Sequence, residues 1–397
     1  MPKTTYLIVG GGMTADAAIH GIREHDRSGS IGVIGAEPHP PYDRPPLSKG
    51  LWKGKPEESI WRKSDAPGVT LHLGRKALSL NPREKQVTDD SGAVHAFDKL
   101  LLATGATPRR LPFGSEQVIY YRTLDDYHRL RAMTEHGRRF AVIGGGFIGS
   151  EVAAALAMNG KEVVLVFPDT GIGSRVFPRD VAGFLNDFYR AKGVDVRPGA
   201  SVVGMEEREG TTILKLRDAG DTKGQDVAVD GVVAGIGVRP NTELAEAAGL
   251  TVDDGVRVDA ALRTSHPDIH AAGDVASFHN PALGQWLRVE HEDNANTMGT
   301  MAGRAMTGQT VSYDHLPMFY SDLFELGYEA VGQVDARLET VADWKEPHRE
   351  GVIYYLRDRR VRGVLLWNVW EQVDAARRLI AEPGPFGSAD LKRRLPA

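Results

Sequence analysis

Two stretches of this chain carry the same order of residue types. Tyr6-Leu7-Ile8-Val9 is a short apolar run, followed by Gly10-Gly11-Gly12 and an Ala-rich stretch to about Ile22. Phe140-Ala141-Val142-Ile143 is followed by Gly144-Gly145-Gly146 and the Ala-rich stretch Phe147–Met158. A second apolar run closes each pattern, Ile31–Ile34 in one case and Glu162–Phe167 in the other. Each reads as buried strand, tight turn, helix and strand, so one βαβ unit occurs twice. The repeat predicts an α/β protein with two nucleotide-binding domains of the Rossmann type.

The 397 residues suit two or three domains with sizeable cores. With 48 Lys plus Arg against 53 Asp plus Glu, the formal net charge of −5 disfavours a nucleic-acid binder. No apolar run reaches the roughly 18 residues of a membrane span. A strand is predicted within a few residues of Met1, which leaves no room there for a signal or transit peptide. These features together suggest a cytoplasmic location. The chain has no Cys, which excludes dithiol–disulfide catalysis, thiolate nucleophiles, Cys-ligated zinc and iron–sulfur clusters built from its own side chains. No metal site is expected.

Between the two units, Val69–Phe97 alternates strand-like segments with turn clusters and reads as a β-meander. A second meander is expected around Val202–Val229, with turns near Glu209-Gly210 and at Asp218–Gly224. After about Pro317 strands follow without helices, at Glu329–Val334, Val352–Leu356 and Val361–Trp367, closed by a helical stretch Val369–Ile380. This predicts a smaller, antiparallel C-terminal domain. Leu391–Ala397, with Lys392-Arg393-Arg394, is expected to fray into solvent.

The first glycine turn has the form Gly10-x-Gly12-x-x-Ala15, and the second the form Gly144-x-Gly146-x-x-Gly149. The first glycine permits the tight turn, the second lets the main chain approach a pyrophosphate, and the third small residue keeps helix and strand close. The helix start then offers free N–H groups to phosphate. Glu37 and Asp169, after the second strand of each unit, are the candidate ribose ligands. An acid at Asp169 favours NADH over NADPH, because a 2′-phosphate beside it meets a repulsion of up to about 4 kcal/mol at an effective dielectric of 20. Arg175 nearby can offset part of that. Leu100–Gly105 and Ile269–Asp274 are two more buried strands, ending in Ala-Thr-Gly and Gly-Asp.

In this order the motifs resemble the two-dinucleotide flavoprotein reductases, the pyridine nucleotide-disulfide oxidoreductase family that includes the ferredoxin reductases. Tyr42-Asp43-Arg44-Pro45-Pro46-Leu47-Ser48-Lys49 resembles the flavin-contacting loop of the ferredoxin-reductase type. Gly144–Glu151, Val166–Asp169, Val289-Glu290-His291, Met318–Asp322, Gly327–Ala330, Gly351–Asp358 and Leu366-Trp367-Asn368 are most similar to the apoptosis-inducing-factor-like branch. The resemblance covers about Tyr6 to Ile380. It implies an FAD-binding domain at 1–118 and 239–312, an NAD-binding domain at 119–238 and a C-terminal domain at 313–397.

The resemblance implies FAD contacts from Gly10, Gly12, Ala15, Glu37, Arg44, Lys49, Thr104, Gly105, Arg109, Gly273, Asp274, Glu290 and His291. It implies NAD contacts from Gly144, Gly146, Gly149, Glu151, Asp169 and Gly237. By the same resemblance Lys49 and Glu151 form a buried ion pair, Lys49 near flavin N5 and Glu151 facing the nicotinamide carboxamide, with His291 near the flavin or nicotinamide. Phe147, a large side chain inside a glycine turn, is assigned to the nicotinamide face. Lys49, Glu151, Phe147 and His291 are the expected catalytic group. Set against the branch's animal members, the chain is expected to carry neither their leader nor the long insertion between Val334 and Gly351, and Tyr320 stands where Trp is expected. A redox core is implied, without a cell-death or DNA-binding role.

Three further features carry no site. Adjacent residues in Glu290–Asp293 do not face one point, so they are no metal cluster. Arg357–Arg360 reads as a solvated hairpin tip, which could still help dock an acidic redox protein, and Trp367 and Trp370 read as core. The expected function is FAD-dependent NADH oxidation with electrons passed on to an acceptor, a ferredoxin, a quinone or oxygen. The alternatives are the reductase component of a ferredoxin- or rubredoxin-linked system and an NADH-sensing module whose charge-transfer state controls a homodimer.

Overall fold

Strand Lys3–Val9 lies between two parallel neighbours, Ile31–Gly35 and Val94–Leu102, with Leu7 opposite both Gly32 and Leu100. Leu7 and Ile8 point to opposite faces and both are fully buried, which is why the run lacks polar alternation. The computed structural model describes residues 3–114, 116–218 and 224–395. The chain divides into two compact units. One runs to Arg44 and takes in Glu57–Thr107 and Arg239–Phe319; the other takes in Pro45–Pro56, Pro108–Val238 and the chain from Tyr320.

In the first unit Val69–Leu73 extends the parallel sheet beyond Ile31–Gly35, so it does not belong to a meander as expected. Val94–Leu102 is likewise one strand, which on the edge away from Lys3–Val9 serves two neighbours. Its first half pairs antiparallel with Gln86–Asp89, and its buried second half pairs parallel with Ile269–Ala271. The sequence suggested two elements here because the strand passes from a half-exposed edge into the core at Leu100.

Helices Met13–Arg23 and Glu292–Met306 cross at very short range. A Cβ on Gly21 would lie 2.2 Å from the Thr300 carbonyl oxygen, one on Gly299 2.5 Å from that of Thr14, and one on Gly303 2.3 Å from that of Ala18. The glycines let one backbone seat on the other, and Ile19, Ile22, Met298 and Met306 fill the surrounding core.

The second unit repeats the parallel pattern, with strand order Val194–Pro198, Glu162–Phe167, Arg139–Ile143, Gly231–Ala234 and Val118–Tyr120. A three-stranded antiparallel sheet, Ala200–Arg208, Thr211–Asp218 and Gln225–Val229, follows; part of the turn expected at Asp218–Gly224 lies outside the described residues. The C-terminal sheet has five antiparallel strands, including Glu339–Glu346 in the segment read as a plain connection. This sheet packs on the parallel-sheet part of its own unit. Phe177 meets Tyr328 and Trp367 edge-on at 5.2 and 5.5 Å, and the Tyr355 hydroxyl donates to the Val176 carbonyl at 3.0 Å.

Two further expectations are corrected. Leu391–Leu395 does not fray: Leu391 and Leu395 are buried, the Leu395 N–H donates to the Tyr354 hydroxyl at 3.1 Å, and the Arg393 N–H donates to Asp343 at 2.6 Å, while residues 396 and 397 lie outside the described residues. Two leucines one turn apart dock the segment while its basic side chains stay in solvent. Trp367 is core, but Trp370 is half exposed because the chain at Asn368 and Glu371 takes positive φ and turns outward before helix Val373–Ala381. The Arg357–Arg360 hairpin tip is as expected.

Adding a methyl group at Gly303 gains helix propensity of up to about 1 kcal/mol but overpacks a backbone contact at a cost of about 1–3 kcal/mol. Gly303→Ala is therefore expected to lower thermal stability by a few degrees, measured by calorimetry. A melting temperature equal to or above that of the parent would contradict the close-packed crossing.

Candidate functional site

At the carboxyl edge of the first sheet three strand ends converge. Gly10 takes φ +122°, and a Cβ there would lie 2.0 Å from the Ala103 carbonyl oxygen. The Ala103 N–H donates to Val9 and the Ala272 N–H to Leu102, so the Thr104-Gly105 and Gly273-Asp274 turns sit beside the glycine turn. Asn241, which the sequence did not single out, clasps the Thr104 turn. Its side-chain N–H donates to the Thr104 carbonyl at 2.8 Å, and its own carbonyl accepts the Thr104 hydroxyl at 2.8 Å. Such ligand-binding edges are typical of open α/β sheets.

Glu37 and Arg44, expected as a ribose ligand and a separate FAD contact, are partners. Arg44 Nη2 donates to Glu37 Oε1 at 2.5 Å, Tyr42 donates to Oε2 at 2.6 Å, and the guanidinium lies 5.0 Å from the Tyr42 ring centroid. Burial alone would lower the Arg44 pKa, but Tyr42, Glu37 and Asp274 outweigh it and hold the group above its ordinary value. Arg62, also missed, anchors the preceding loop, donating to Asp43 at 2.6 Å, Asn296 at 2.8 Å and the buried Asp16 at 3.2 Å. A lone Arg gives no sequence signal for such a role. Glu290 is exposed and paired with Arg288. His291 precedes helix Glu292–Met306, and its ring stacks on Phe319 with centroids 4.5 Å apart.

In the second unit Gly144 takes φ +111°, and a Cβ there would lie 2.3 Å from the Gly235 carbonyl oxygen; one on Gly149 would lie 1.8 Å from that of Gly144. Asp169 faces Arg175 at 3.5 Å, both exposed, and their loop is tied to the glycine turn by the Gly173 N–H on the Gly145 carbonyl at 2.8 Å. Phe147 is the half-buried first residue of its helix. Arg109, expected at the first nucleotide, is exposed in this unit, its N–H on the Gly237 carbonyl at 2.9 Å.

The same unit brings Lys49 and Glu151 together at 2.8 Å. Glu151 is only 3 % exposed and also accepts the hydroxyls of Ser48 and Ser321, each at 2.5 Å. Lys49 Nζ lies 5.1 Å from the Tyr320 ring centroid. Burial first, and the charge of Glu151 second, push the hydroxyls of Tyr189 and Tyr328 well above their ordinary pKa, so both stay protonated. Ser48 and Ser321 stand inside sequence runs already singled out, Leu47-Ser48-Lys49 and Tyr320-Ser321-Asp322, but only folding reveals their common partner.

The glycines themselves test whether dinucleotides fit. Gly10, Gly144 and Gly149 are demanded by the protein's own packing. Gly12 and Gly146 are not: both have ordinary negative φ, a Cβ on Gly146 would meet nothing within 4 Å, and one on Gly12 would meet only Arg44 Nη2 at 4.0 Å. Neither helix start is capped by a side chain. Two bare helix N-termini under open space fit two pyrophosphates. Gly12→Ala and Gly146→Ala are accordingly expected to leave the unfolding free energy of the apoprotein within about 1 kcal/mol of the parent's. The first should weaken FAD and the second NADH, each at least roughly tenfold in equilibrium titrations, about 1.4 kcal/mol. Unfolding of either variant, or unchanged affinities, would refute this division.

Comparison with known proteins gives a consistent picture. The model of the pyridine nucleotide-disulphide oxidoreductase family matches residues 4–299. That of the apoptosis-inducing factor, mitochondrion-associated, C-terminal domain matches 302–350 and 343–382. The chain is 34% identical over 404 residues to the ferredoxin–NAD(+) reductase component of the anthranilate 1,2-dioxygenase system of Burkholderia cepacia, covering 98% of each chain. It is 33% identical over 419 residues to mitochondrial apoptosis-inducing factor 1 of Dictyostelium discoideum, covering 94% of this chain and 78% of the relative. Among solved structures, the covalent putidaredoxin reductase–putidaredoxin complex matches with a TM-score of 0.89 at 30% identity, over 97% of this chain and 94% of that one. Two glycine turns at the ends of two parallel sheets, a cysteine-free chain and a C-terminal antiparallel sheet thus fall within one lineage: the chain belongs to the pyridine nucleotide-disulphide oxidoreductase family.

Proposed function

We propose that this protein is an FAD-dependent NADH oxidoreductase that passes electrons to a small iron–sulfur protein of the ferredoxin type. The observation that carries the redox reading is the buried Lys49–Glu151 pair in the unit that also holds the second glycine turn. The acceptor is supported by similarity along the full chain to a ferredoxin–NAD(+) reductase component and by likeness to a reductase solved with putidaredoxin. No helix of the described residues is long and apolar enough to cross a membrane, and a cytoplasmic location accompanies this reading.

The FAD pyrophosphate would be held by the Gly10–Ala15 turn and the following helix start, with Arg44 and Asp274 beside it. NADH would be held by the Gly144–Gly149 turn with Asp169 on the adenosine ribose. When bound, FAD supplies the conversion from two-electron to one-electron transfer that links NADH to an iron–sulfur acceptor. Lys49, held oriented by Glu151, would contribute a fixed positive charge to stabilise the negative charge of a reduced flavin. Glu151 would also accept an N–H from the nicotinamide carboxamide. The Phe147 ring offers a flat apolar surface and His291 a ring nitrogen, its plane fixed by Phe319. No side chain acts as nucleophile, consistent with a chain that has no Cys.

Anaerobic mixing with NADH should bleach the yellow protein, and a [2Fe–2S] ferredoxin should restore the colour at least roughly tenfold faster than a quinone or oxygen, a preference of about 1.4 kcal/mol in the barrier. Faster recovery with either alternative would reject the acceptor assignment. Glu151→Ala is expected to weaken NADH more than FAD, and equal weakening of both in binding titrations would count against its role.

A further inference from the structure

The Glu151 carboxylate has two oxygens and about four acceptor positions. Lys49 Nζ at 2.8 Å and the Ser321 hydroxyl at 2.5 Å both fall on Oε1, whereas Oε2 receives only the Ser48 hydroxyl at 2.5 Å. Among the described residues, therefore, Oε1 is filled and Oε2 keeps one position open. We propose that Ser48 and Ser321 are positioning residues that fix the rotation of this carboxylate. The open position on Oε2 then accepts an N–H from the ligand and selects a nicotinamide bearing an amide over one that offers no N–H. The inference rests on the NADH reading above and extends it to two residues that would not themselves touch the coenzyme.

Lys49 alone would not set this orientation. An ammonium is a compact charge with three rotatable donors, and it can slide between the two carboxylate oxygens without loss. Hydroxyls from two separate segments remove that freedom. Ser48 stands at the end of the turn Pro45–Ser48, whose Leu47 carbonyl accepts Trp52 Nε1 at 2.8 Å and the Tyr121 hydroxyl at 2.5 Å. Ser321 stands in strand Met318–Leu323, 1 % exposed, beside Asp322, which is paired with Lys53 at 3.1 Å. The carboxylate is thus gripped from a turn and from the C-terminal sheet. A site whose buried acceptor is aimed in advance rejects a ligand lacking the matching donor far more strongly than a mobile one, because the acceptor is then left unpaired.

The test compares anaerobic flavin reduction by NADH and by its 3-acetylpyridine analogue, whose methyl ketone replaces the amide, in the FAD-loaded protein. The readout is the ratio of the two second-order rate constants. That ratio is taken within each preparation, so a reduced folded fraction cancels. Ser48→Ala and Ser321→Ala are each expected to shrink the parent's preference for NADH by about tenfold. Ser321→Thr, which retains the hydroxyl, should hold the preference near that of the parent. An unchanged preference in both alanine variants, or a loss in Ser321→Thr equal to that in Ser321→Ala, overturns the proposal. Failure of NADH to bleach the parent protein would instead overturn the NADH reading itself.

Discussion

Where the turn after Lys3–Val9 meets the strand end at Ala103, the two main chains lie so close that no side chain fits between them. The same contact recurs between Gly144 and Gly235, where a Cβ would stand 2.3 Å from a carbonyl oxygen. Much of each unit follows from this approach. It seats the next helix directly over its sheet and points that helix's unpaired N–H groups past the carboxyl edge of the strands. In the first unit it also draws the Thr104 and Gly273 turns to one place. Gly12 and Gly146 sit in the same motifs for a different reason, since the protein itself leaves the space above them open. Packing requires Gly10 and Gly144 but not Gly12 or Gly146, and only the surroundings of each residue tell the two cases apart.

The second constraint is electrostatic. A carboxylate as deeply buried as Glu151 loses hydration worth several kcal/mol, and one ammonium repays that only with help from further hydrogen bonds. The hydroxyls of Ser48 and Ser321 provide that help, each in the range of about 1.5–3 kcal/mol for a bond to a charged group. The need for them explains why a turn at Pro45–Ser48 and a strand of the C-terminal sheet both end at one helix residue. Burial first, and the charge of Glu151 second, keep the neighbouring Tyr189 and Tyr328 protonated.

The elements that were legible in advance are those whose reason is local. Each glycine turn lies within a few residues of its strand and helix, and the antiparallel strands at Val352–Leu356 and Val361–Trp367 show as apolar runs joined by a tight turn. What escaped depends on partners far away in the chain. Val94–Leu102 looks like two elements because its halves meet different neighbours, and Glu339–Glu346 is too polar to stand out until it pairs with Glu350–Arg357. The chain end looks solvated because its two leucines are outnumbered by charges, yet they are the residues that dock. Arg62 and Asn241 carry no motif, so their hydrogen bonds to Asp16 and Thr104 are invisible without the fold.

The sequence by itself determined that a strand–glycine turn–helix–strand unit occurs twice, because in each copy these parts follow one another within a few residues. It also determined that no thiol chemistry is available, since composition alone decides that. Only the tertiary structure decided that Glu37 is bound by Arg44, that Trp370 turns outward, and that Ser48 and Ser321 join the Lys49–Glu151 pair the resemblance implied. The reason is physical: a glycine's freedom is a property of one residue, whereas the orientation of a buried charge is a property of every donor that folding brings within reach of it.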